Sequence, residues 1–540
     1  MEAVTSRSGR SFATLLQRVV LLGVGLSMML GSWLLATPLG AGVDESSHVV
    51  AAVTDSHLKF QHSSDQNGRP VVFQKVLLPR TFGLLNTETL CYYRGGPGSC
   101  HAHAAECLYV VGNAGHCSPP LIGDATIGTA FTYTGRYPPA YLAFTGLPSI
   151  VSSTPGVIWF MRLLSTLLAG SLVLTAFFCA LRWGRRPLLL LGLSACLTPT
   201  FLGTSVIVNP SSLEMAAALA VWTTGVILAR DSTVPDRRLI DLFGASTILL
   251  TIARPSSPSW TLVILVVLGL LAGRRRLRDL WEIRRAKIWA AAIAGFGIGV
   301  VIWVVVVHAT TIIQINPQPL RQAFPWALRG LPRFINQAIA NLGSGMITFP
   351  LIISVMLGIV GATVLGLGAL NLRHTPWPRW VGLGLLLLTL IAAPVVLAVS
   401  NVPEMTPYGR YLYPLGIGLP ILLGGLSAPH WRRVSAIGVL IVAVAQAVAL
   451  LHYLHRWSEG PGAPWVLHPM GPASWSPPAG VIAVGLLGVI GPILISLVLL
   501  SALRDDPGTP SLALNGDATD DQHGSVEVTA AGGTDRPPAS

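Results

Sequence analysis

Two adjacent carboxylates and a histidine stand directly after the first apolar stretch of the chain. Asp44 and Glu45 are followed by His48, and positions i and i+4 of a helix share one face. A carboxylate can act as a general base that takes a proton from an attacking hydroxyl, and it can bind a divalent cation such as Mg²⁺ or Mn²⁺. These residues are therefore candidates for catalysis. Aspartate is also a favoured N-cap residue, so a structural role for Asp44 stays open.

A metal site at this motif would use Asp44 and His48. Zinc takes three or four protein or water ligands, and no third ligand stands at a recognisable spacing. A divalent cation is therefore an open candidate cofactor rather than a requirement of the sequence.

Other polar residues lie beside apolar spans and are candidates for binding a substrate. Arginine recognises phosphate through bidentate hydrogen bonds and is permanently charged, which suits Arg254 and Arg410. Either arginine could instead extend to lipid headgroups, and Asn209-Pro210 could be only a turn. The full set of candidate substrate-binding residues is His48, Tyr137, Asn209, Glu214, Arg254, Arg410 and Tyr411.

Four cysteines crowd one polar loop, whereas Cys179 and Cys196 lie in apolar spans and suit small core positions. Their even number and short spacing favour two disulfides in an oxidising compartment, and the sequence does not choose among three pairings. Zinc is the alternative because histidines lie nearby, although no Cys-x-x-Cys spacing occurs. The residues concerned are Cys91, Cys100, Cys107 and Cys117, with His101, His103 and His116.

The composition predicts a membrane protein with many helices. Of the 540 residues, 52% are hydrophobic and 11% are charged, whereas soluble proteins carry about 25% charged residues. The net charge of +12 comes largely from basic residues in short turns between apolar spans, as the positive-inside rule requires. No basic face with interleaved aromatic residues is present, which argues against nucleic-acid binding.

The apolar spans divide the chain into a first helix, a long loop and a bundle. Residues 15–37 are too long for the apolar core of a signal peptide and predict transmembrane helix 1. Arg254-Pro255 interrupts the 238–273 region, so two half-crossings joined at Pro255 are an alternative there. Eleven further spans are expected at 157–181, 187–207, 213–230, 238–254, 258–273, 287–308, 345–371, 380–399, 412–427, 434–453 and 480–503, which makes twelve.

The basic loops predict the orientation in the plasma membrane. Arginines recur in alternate loops, which places the N-terminus (1–14) and the tail (504–540) in the cytoplasm. The tail is rich in small and polar residues and is expected to be disordered. Residues 38–156 then form an extracytoplasmic loop that ends in an interfacial or re-entrant apolar run. Arg321, Arg329 and Arg333 among apolar residues predict an interfacial amphipathic helix.

Several short motifs resemble the bacterial membrane proteins grouped as domain of unknown function 2142. The resemblance covers residues 15–430, although Ser211-Ser212 stands where Asp-Gly is expected and the four-cysteine segment is an addition. The motifs are Asp44-Glu45-x-x-His48, Tyr137-Pro138-Pro139-Ala140-Tyr141, Arg162-Leu-Leu-Ser, Asn209-Pro210 and Gly409-Arg410-Tyr411.

That family in turn resembles the GT-C superfamily of membrane glycosyltransferases, which use polyprenyl-phosphate sugars. The resemblance implies a GT-C-like all-α fold, with Asp44 as the base or metal-binding acid and Glu45 as its neighbour. It further implies that Arg410 or Arg254 binds the lipid phosphate and that the partners are membrane lipids, a polyprenyl-phosphate sugar and a cell-envelope glycan acceptor. A transporter or flippase of lipid-linked glycans and a non-enzymatic envelope assembly protein are the alternatives.

Overall fold

Helices form almost all of the structure, and strands are confined to two antiparallel pairs in the described residues. The computed structural model describes residues 2–60, 74–83, 123–184, 186–230, 235–307, 319–342, 347–374, 377–400, 409–459 and 475–504. The expected all-α membrane protein is confirmed. The four clustered cysteines and their nearby histidines lie outside the described residues.

The elements are numbered in chain order. The helices before the centre of the bundle are α1 (Glu2–Ala36), α2 (Glu45–Ser56), α3 (Pro139–Gly146), α4 (Pro148–Val151), α5 (Gly156–Cys179), α6 (Pro187–Cys196), α7 (Pro199–Ser205) and α8 (Pro210–Arg230). The later helices are α9 (Arg237–Thr251), α10 (Ser257–Glu282), α11 (Arg284–Val306), α12 (Leu320–Ala340), α13 (Leu351–Leu370), α14 (Trp377–Ser400), α15 (Gly409–Gly416), α16 (Gly418–Leu426), α17 (Arg432–Glu459) and α18 (Val481–Arg504). The strands are β1 (Gln74–Pro79), β2 (Ile127–Thr132), β3 (Asn341–Leu342) and β4 (Ile347–Thr348).

Nine of the described helices are long and apolar enough to cross a membrane. They are α1, α5, α8, α10, α11, α13, α14, α17 and α18, and the pair α6–α7, bent by 62°, makes a tenth if it counts as one span. The prediction of twelve spans also included 238–254 and 412–427. There the structure has α9, with 15 residues, and the short helices α15 and α16, with 8 and 9 residues. Each is shorter than the roughly 20 residues of a full crossing.

Arg254-Pro255 lies in a turn between two separate helices. The hydroxyl of Thr251 in α9 donates to that of Thr261 in α10 at 3.3 Å, next to the turn. Farther along α10, Arg276 Nε donates to Leu228 O near the end of α8 at 2.9 Å. The stretch Ser257–Glu282 is long and apolar enough to count as one span, although Gly273, with a φ of 74°, divides the helix into two parts. The alternative of two half-crossings joined at Pro255 therefore stays a prediction.

The helix α8 lies at the centre of the bundle. All its residues from Pro210 to Ala229 are buried, and it packs against α5, α9, α10 and α16. Small residues such as Ala216, Ala217 and Ala218 let neighbouring backbones approach closely in the absence of water. We call the end of the bundle where α1 ends and α8 begins the site end, since the polar candidates collect there.

The described parts of the first loop form a compact layer at the site end. Every residue of α2 from Glu45 to Asp55 is buried, and α2 packs on α3 and β2. The hydroxyls of Thr132 and Thr134 both donate to Ser47 O, at 2.9 and 3.0 Å. The apolar run that ends at Val151 folds as α3 and α4, two short helices that pack beside α2 and α5.

The basic segment after α11 folds as α12, in agreement with the predicted helix. It packs on α7, α14 and α15 at the site end. The side-chain oxygen of Gln337 in α12 accepts a hydrogen bond from Gly409 N at 3.1 Å, and Thr200 Oγ1 donates to Gln337 O at 3.0 Å. This helix therefore fixes the start of α15, which carries Arg410.

Candidate functional site

Asp44 has an unusual backbone and does not cap the helix that follows it. Its φ of 59° and ψ of 6° are left-handed, and its side chain makes no capping hydrogen bond to α2. Holding a non-glycine residue in this region costs about 1–3 kcal/mol and is typical of functional sites. The carboxylate instead accepts a hydrogen bond from Arg410 Nη2 and forms one with Tyr133. The alternative of a capping role is therefore wrong.

The carboxylate of Asp44 is ionised at neutral pH and still reachable. Burial alone would raise its pKa, but the charge of Arg410 and the hydrogen bonds of Tyr133 and Arg410 hold the pKa below the usual value. The side chain of Asp44 is 27% exposed, compared with 9% for Arg410. An anionic oxygen that can reach a bound molecule is the state a general base requires.

His48 lies one turn along α2, as the spacing predicted. Burial and the charges of Arg254 and Arg410 lower its pKa to about 3, although Asp44 acts in the opposite direction. The imidazole is therefore neutral at pH 7. Its ring lies 5.5 Å from that of Tyr137, and its buried Nδ1 has no hydrogen-bond partner within the described residues. A hydroxyl of a bound molecule could satisfy this atom.

Two guanidinium groups lie over the ring of Tyr411. That of Arg254 is 4.5 Å from the ring centroid and that of Arg410 is 5.0 Å away. Arg410 Nη2 also donates to the hydroxyl of Tyr411 at 3.1 Å. Stacking on one aromatic ring brings the two cations together, although each is also paired with its own carboxylate. The pair of arginines that the sequence singled out for phosphate is thus gathered around one side chain.

Glu214, near the start of α8, fixes Arg254. Its carboxylate accepts hydrogen bonds from Arg254 Nη1 at 3.2 Å and from the hydroxyl of Ser257 at 2.7 Å. Arg254 Nη2 reaches the hydroxyl of Tyr137 at 3.4 Å, and the guanidinium lies 5.6 Å from that ring. Contacts between neighbours therefore join Asp44, Arg410, Tyr411, Arg254 and Glu214 into one cluster.

The match to known families covers the whole of this cluster. Residues 27–419 match the family described as predicted membrane protein, DUF2142. The chain belongs to the DUF2142 family. The matched region contains every residue of the cluster, whereas α17 and α18 follow it. No match was found among curated proteins or among solved structures.

Glu45 occupies a separate position in the DUF2142 region. It forms a bidentate pair with Arg162, with both hydrogen bonds at 2.6 Å, and neither side chain is exposed. Arg162 also donates to Thr37 O at 2.6 Å and Pro38 O at 2.8 Å. The pair joins α2 to α5, and the backbone contacts of Arg162 add the segment that follows α1. Because the Glu45 carboxylate is fully buried in this pair, Asp44 is left as the candidate base.

Asn209 holds the segment in front of Asp44. Its Nδ2 donates to Val43 O at 2.9 Å, and its Oδ1 accepts from Ser211 N at 2.9 Å at the start of α8. Asn209 N donates to the hydroxyl of Tyr141 at 3.0 Å. Asn209 is therefore a positioning residue rather than a group that faces a substrate.

The structure adds two residues of the DUF2142 region that the sequence did not single out. Tyr133 is hydrogen-bonded to Asp44, and burial together with the charge of Asp44 raises its pKa well above the usual value. Ser257 contacts Glu214. A tyrosine in a loop and a serine beside a proline carry no local signal, because their roles depend on distant partners.

The described residues do not offer a metal centre. They contain no group of three or more histidine, cysteine, aspartate or glutamate side chains close enough to hold an ion. Asp44 and His48 supply two donors, and the permanently charged guanidinium of Arg410 is already paired with the carboxylate of Asp44. These residues do not fit Mg²⁺, Mn²⁺ or Zn²⁺, which need more oxygen or nitrogen ligands.

Proposed function

We propose that this DUF2142 protein is a membrane glycosyltransferase. It transfers a sugar from a polyprenyl-phosphate donor to a cell-envelope acceptor on the extracytoplasmic face. One observation carries the proposal: a strained, ionised and reachable Asp44 stands in one cluster with Arg410, Arg254 and Tyr411. A base beside two phosphate-binding cations, at the end of a bundle of membrane helices, suits a substrate that is half lipid and half sugar.

The proposed reaction is a single displacement. The acceptor hydroxyl oxygen attacks the anomeric carbon, and the bond from that carbon to the phosphate oxygen breaks. The electron pair leaves with the polyprenyl phosphate, and the hydroxyl proton passes to the Asp44 carboxylate. Arg254 and Arg410 stabilise the charge that develops on the leaving phosphate.

The ion pair of Asp44 and Arg410 gives the donor a second role. A bound phosphate competes with Asp44 for the guanidinium of Arg410, because both are anionic oxygen acceptors. When Arg410 turns part of its hydrogen bonding to the phosphate, the carboxylate loses a partner that lowers its pKa. Asp44 is then a stronger base in the donor complex than in the free protein.

The test is complementation of a deletion strain, with mass spectrometry of the envelope glycans. Asp44→Asn keeps the size of the side chain and removes the base, so we expect transfer to fall by about 100-fold or more. Asp124→Asn is the matched control, since Asp124 is a carboxylate of the same loop that lies on the surface beside Arg80. Immunoblotting of the membranes establishes equal amounts of each protein.

Two outcomes would contradict the proposal. Full restoration of the glycan by Asp44→Asn would remove Asp44 from the reaction. Accumulation of a lipid-linked glycan on the cytoplasmic face of the deletion strain, with no lost transfer step, would instead indicate a transporter.

A further inference from the structure

The helix α12 has three faces of different character. Its buried face includes Ala323, Ala327, Phe334 and Gln337, which contact the bundle. Four large apolar residues form an exposed stripe next to that face. Leu320, Phe324, Leu328 and Ile335 are 62%, 47%, 38% and 59% exposed. At 3.6 residues per turn they fall within about 80° of one another.

The third face is basic. Arg321, Arg329 and Arg333 are exposed and lie within about 120° of one another on the helix. Gln322 and Asn336 are the other polar residues on this side, and the helix contains no aspartate or glutamate. In the part of the chain that the structure describes, none of the three arginines forms an ion pair or a hydrogen bond.

The surroundings of α12 indicate what covers the apolar stripe. The helix packs against the start of α13 and against α14, which are long enough to cross a membrane. Ser354 Oγ in the first turn of α13 donates to Asn336 Oδ1 at 2.8 Å. Leu351, Ile352 and Val355 of α13 are exposed there. The apolar stripe lies on another side of α12 from Asn336, and its residues are also exposed beside these candidate membrane-spanning helices.

We propose that α12 is a binding surface for anionic membrane lipids. Acyl chains contact the stripe formed by Leu320, Phe324, Leu328 and Ile335, and the phosphates of anionic headgroups bind Arg321, Arg329 and Arg333. The guanidinium group suits phosphate oxygens because its fork of donors matches them. The three faces correspond to the protein, the hydrocarbon and the headgroup layer, as a helix in the membrane interface requires.

This surface adjoins the candidate site. Gly409 has no room for a side chain, since a Cβ atom there would lie 2.0 Å from Phe334 O of α12. The next residue is Arg410. Lipid binding to α12 therefore stabilises the element against which the start of α15 packs, whatever reaction the site performs.

The test is hydrogen–deuterium exchange of the full chain in nanodiscs, either of phosphatidylcholine or with added phosphatidylglycerol. We expect the anionic lipid to slow exchange in 320–340 by at least about tenfold, since each arginine near an anionic surface adds to binding. The triple variant Arg321→Gln/Arg329→Gln/Arg333→Gln should lose this difference. Arg274, Arg275 and Arg278 are exposed near the end of α10, and their triple glutamine variant is the charge-matched control.

The control variant should keep the slowing of exchange in 320–340. Equal exchange of the unchanged protein in both kinds of disc would overturn the proposal, as would loss of the effect in the control. Protection in neutral discs that increases with the number of protein copies per disc would identify a second copy as the occupant and also overturn it.

Discussion

At the residue scale, three acid–arginine pairs at the site end differ in their access to the surface. The pairs are Asp44 with Arg410, Glu214 with Arg254, and Glu45 with Arg162. Among these six side chains only that of Asp44 keeps a substantial exposed fraction, at 27%, and the arginines of its pair and of the Glu214 pair both lie over Tyr411. Asp44 is therefore the residue that we propose as the base, whereas the Glu45 pair connects helices.

The Glu45–Arg162 pair makes a direct prediction about stability. Arg162→Met leaves an unpaired carboxylate with no exposure, which should reduce the free energy of unfolding by about 3–5 kcal/mol. Adding Glu45→Leu should restore part of it, because the buried charge is then gone. Denaturant unfolding in detergent measures both variants.

Arg80 supplies the control for this prediction. Its side chain is 63% exposed and lies 3.9 Å from Asp124, so Arg80→Met should change the stability by less than about 1 kcal/mol. Equal losses from Arg80→Met and Arg162→Met would contradict a special role for the buried pair.

Asp55, near the end of α2, predicts a dependence of stability on pH. It is 1% exposed, and its Oδ1 has no hydrogen-bond partner in the described residues. Burial raises its pKa from 3.8 to about 8. The folded protein therefore holds a proton that the unfolded chain releases. The bound proton therefore adds to the free energy of unfolding. This stabilising contribution is complete below pH 3.8 and is lost as the pH rises toward 8.

Asp55→Asn should remove the loss of stability that the unchanged protein shows as the pH rises, because asparagine does not ionise. Relative to the unchanged protein, the variant should gain a few kcal/mol in free energy of unfolding between pH 4 and 8. Asp124→Asn is the control, because hydrogen bonds from Thr126 lower the pKa of Asp124. The effect of this substitution on the free energy of unfolding should therefore be constant above pH 4. A gain that does not vary with pH in denaturant titrations would refute the assignment.

At the element scale, short helices at the site end position the side chains while longer helices support them. The helix α2 carries Asp44 at its start, and α15 carries Arg410 in its first turn. The helix α12 contacts the backbone of α15 directly through Gly409. Small shifts of these short helices therefore change the distance between the carboxylate of Asp44 and the guanidinium group of Arg410.

Gly409→Ala tests this dependence. The added Cβ would meet Phe334 O at 2.0 Å and Ala338 N at 2.5 Å, so α15 must move away from α12. We expect a loss of about 1–3 kcal/mol of stability and a reduced level of the envelope glycan. Gly416 lies on the same helix with no heavy atom within 4 Å of its Cβ position. Gly416→Ala should leave both measurements unchanged, and similar effects of the two substitutions would contradict the close packing at Gly409.

At the scale of the whole molecule, the polar candidates lie at one end of the bundle and the exposed arginines of α10 lie near the other. Arg18 of α1 donates to Ser501 O of α18 at 3.1 Å at that opposite end. At the site end, the ring of Trp33 in α1 lies 5.0 Å from that of Tyr453 in α17. The alternation of basic loops, read with the positive-inside rule, predicts that the site end faces outward.

A fusion at the C-terminus tests this orientation. Green fluorescent protein placed after Ser540 should fluoresce in intact bacteria, and alkaline phosphatase at the same place should be inactive. Basic residues precede the apolar part of α1 and end α18 at Arg504, so the positive-inside rule predicts that both of these ends lie in the cytoplasm. Active phosphatase with dark fluorescent protein would contradict the orientation and place the tail outside.

The sequence by itself determined the membrane class, most spans and the residues to test. Hydrophobic runs and basic turns act locally, so they are visible without a fold. Polar groups beside apolar spans are costly and few, and hence Asp44, Arg254 and Arg410 stood out. The interfacial helix was also visible as a local pattern of arginine and apolar residues. The disulfides and the orientation of the termini remain predictions.

Only the tertiary structure decided how these residues are used. In the folded chain Asp44 pairs with Arg410, which is 366 positions away along the chain, and Glu45 forms a buried ion pair with Arg162. Adjacent carboxylates have the same local signal, so no spacing rule distinguishes the reachable one from the buried one. The left-handed backbone of Asp44, the hydrogen bond of Tyr133 and the two arginines around Tyr411 arise from contacts between distant segments, which only packing can specify.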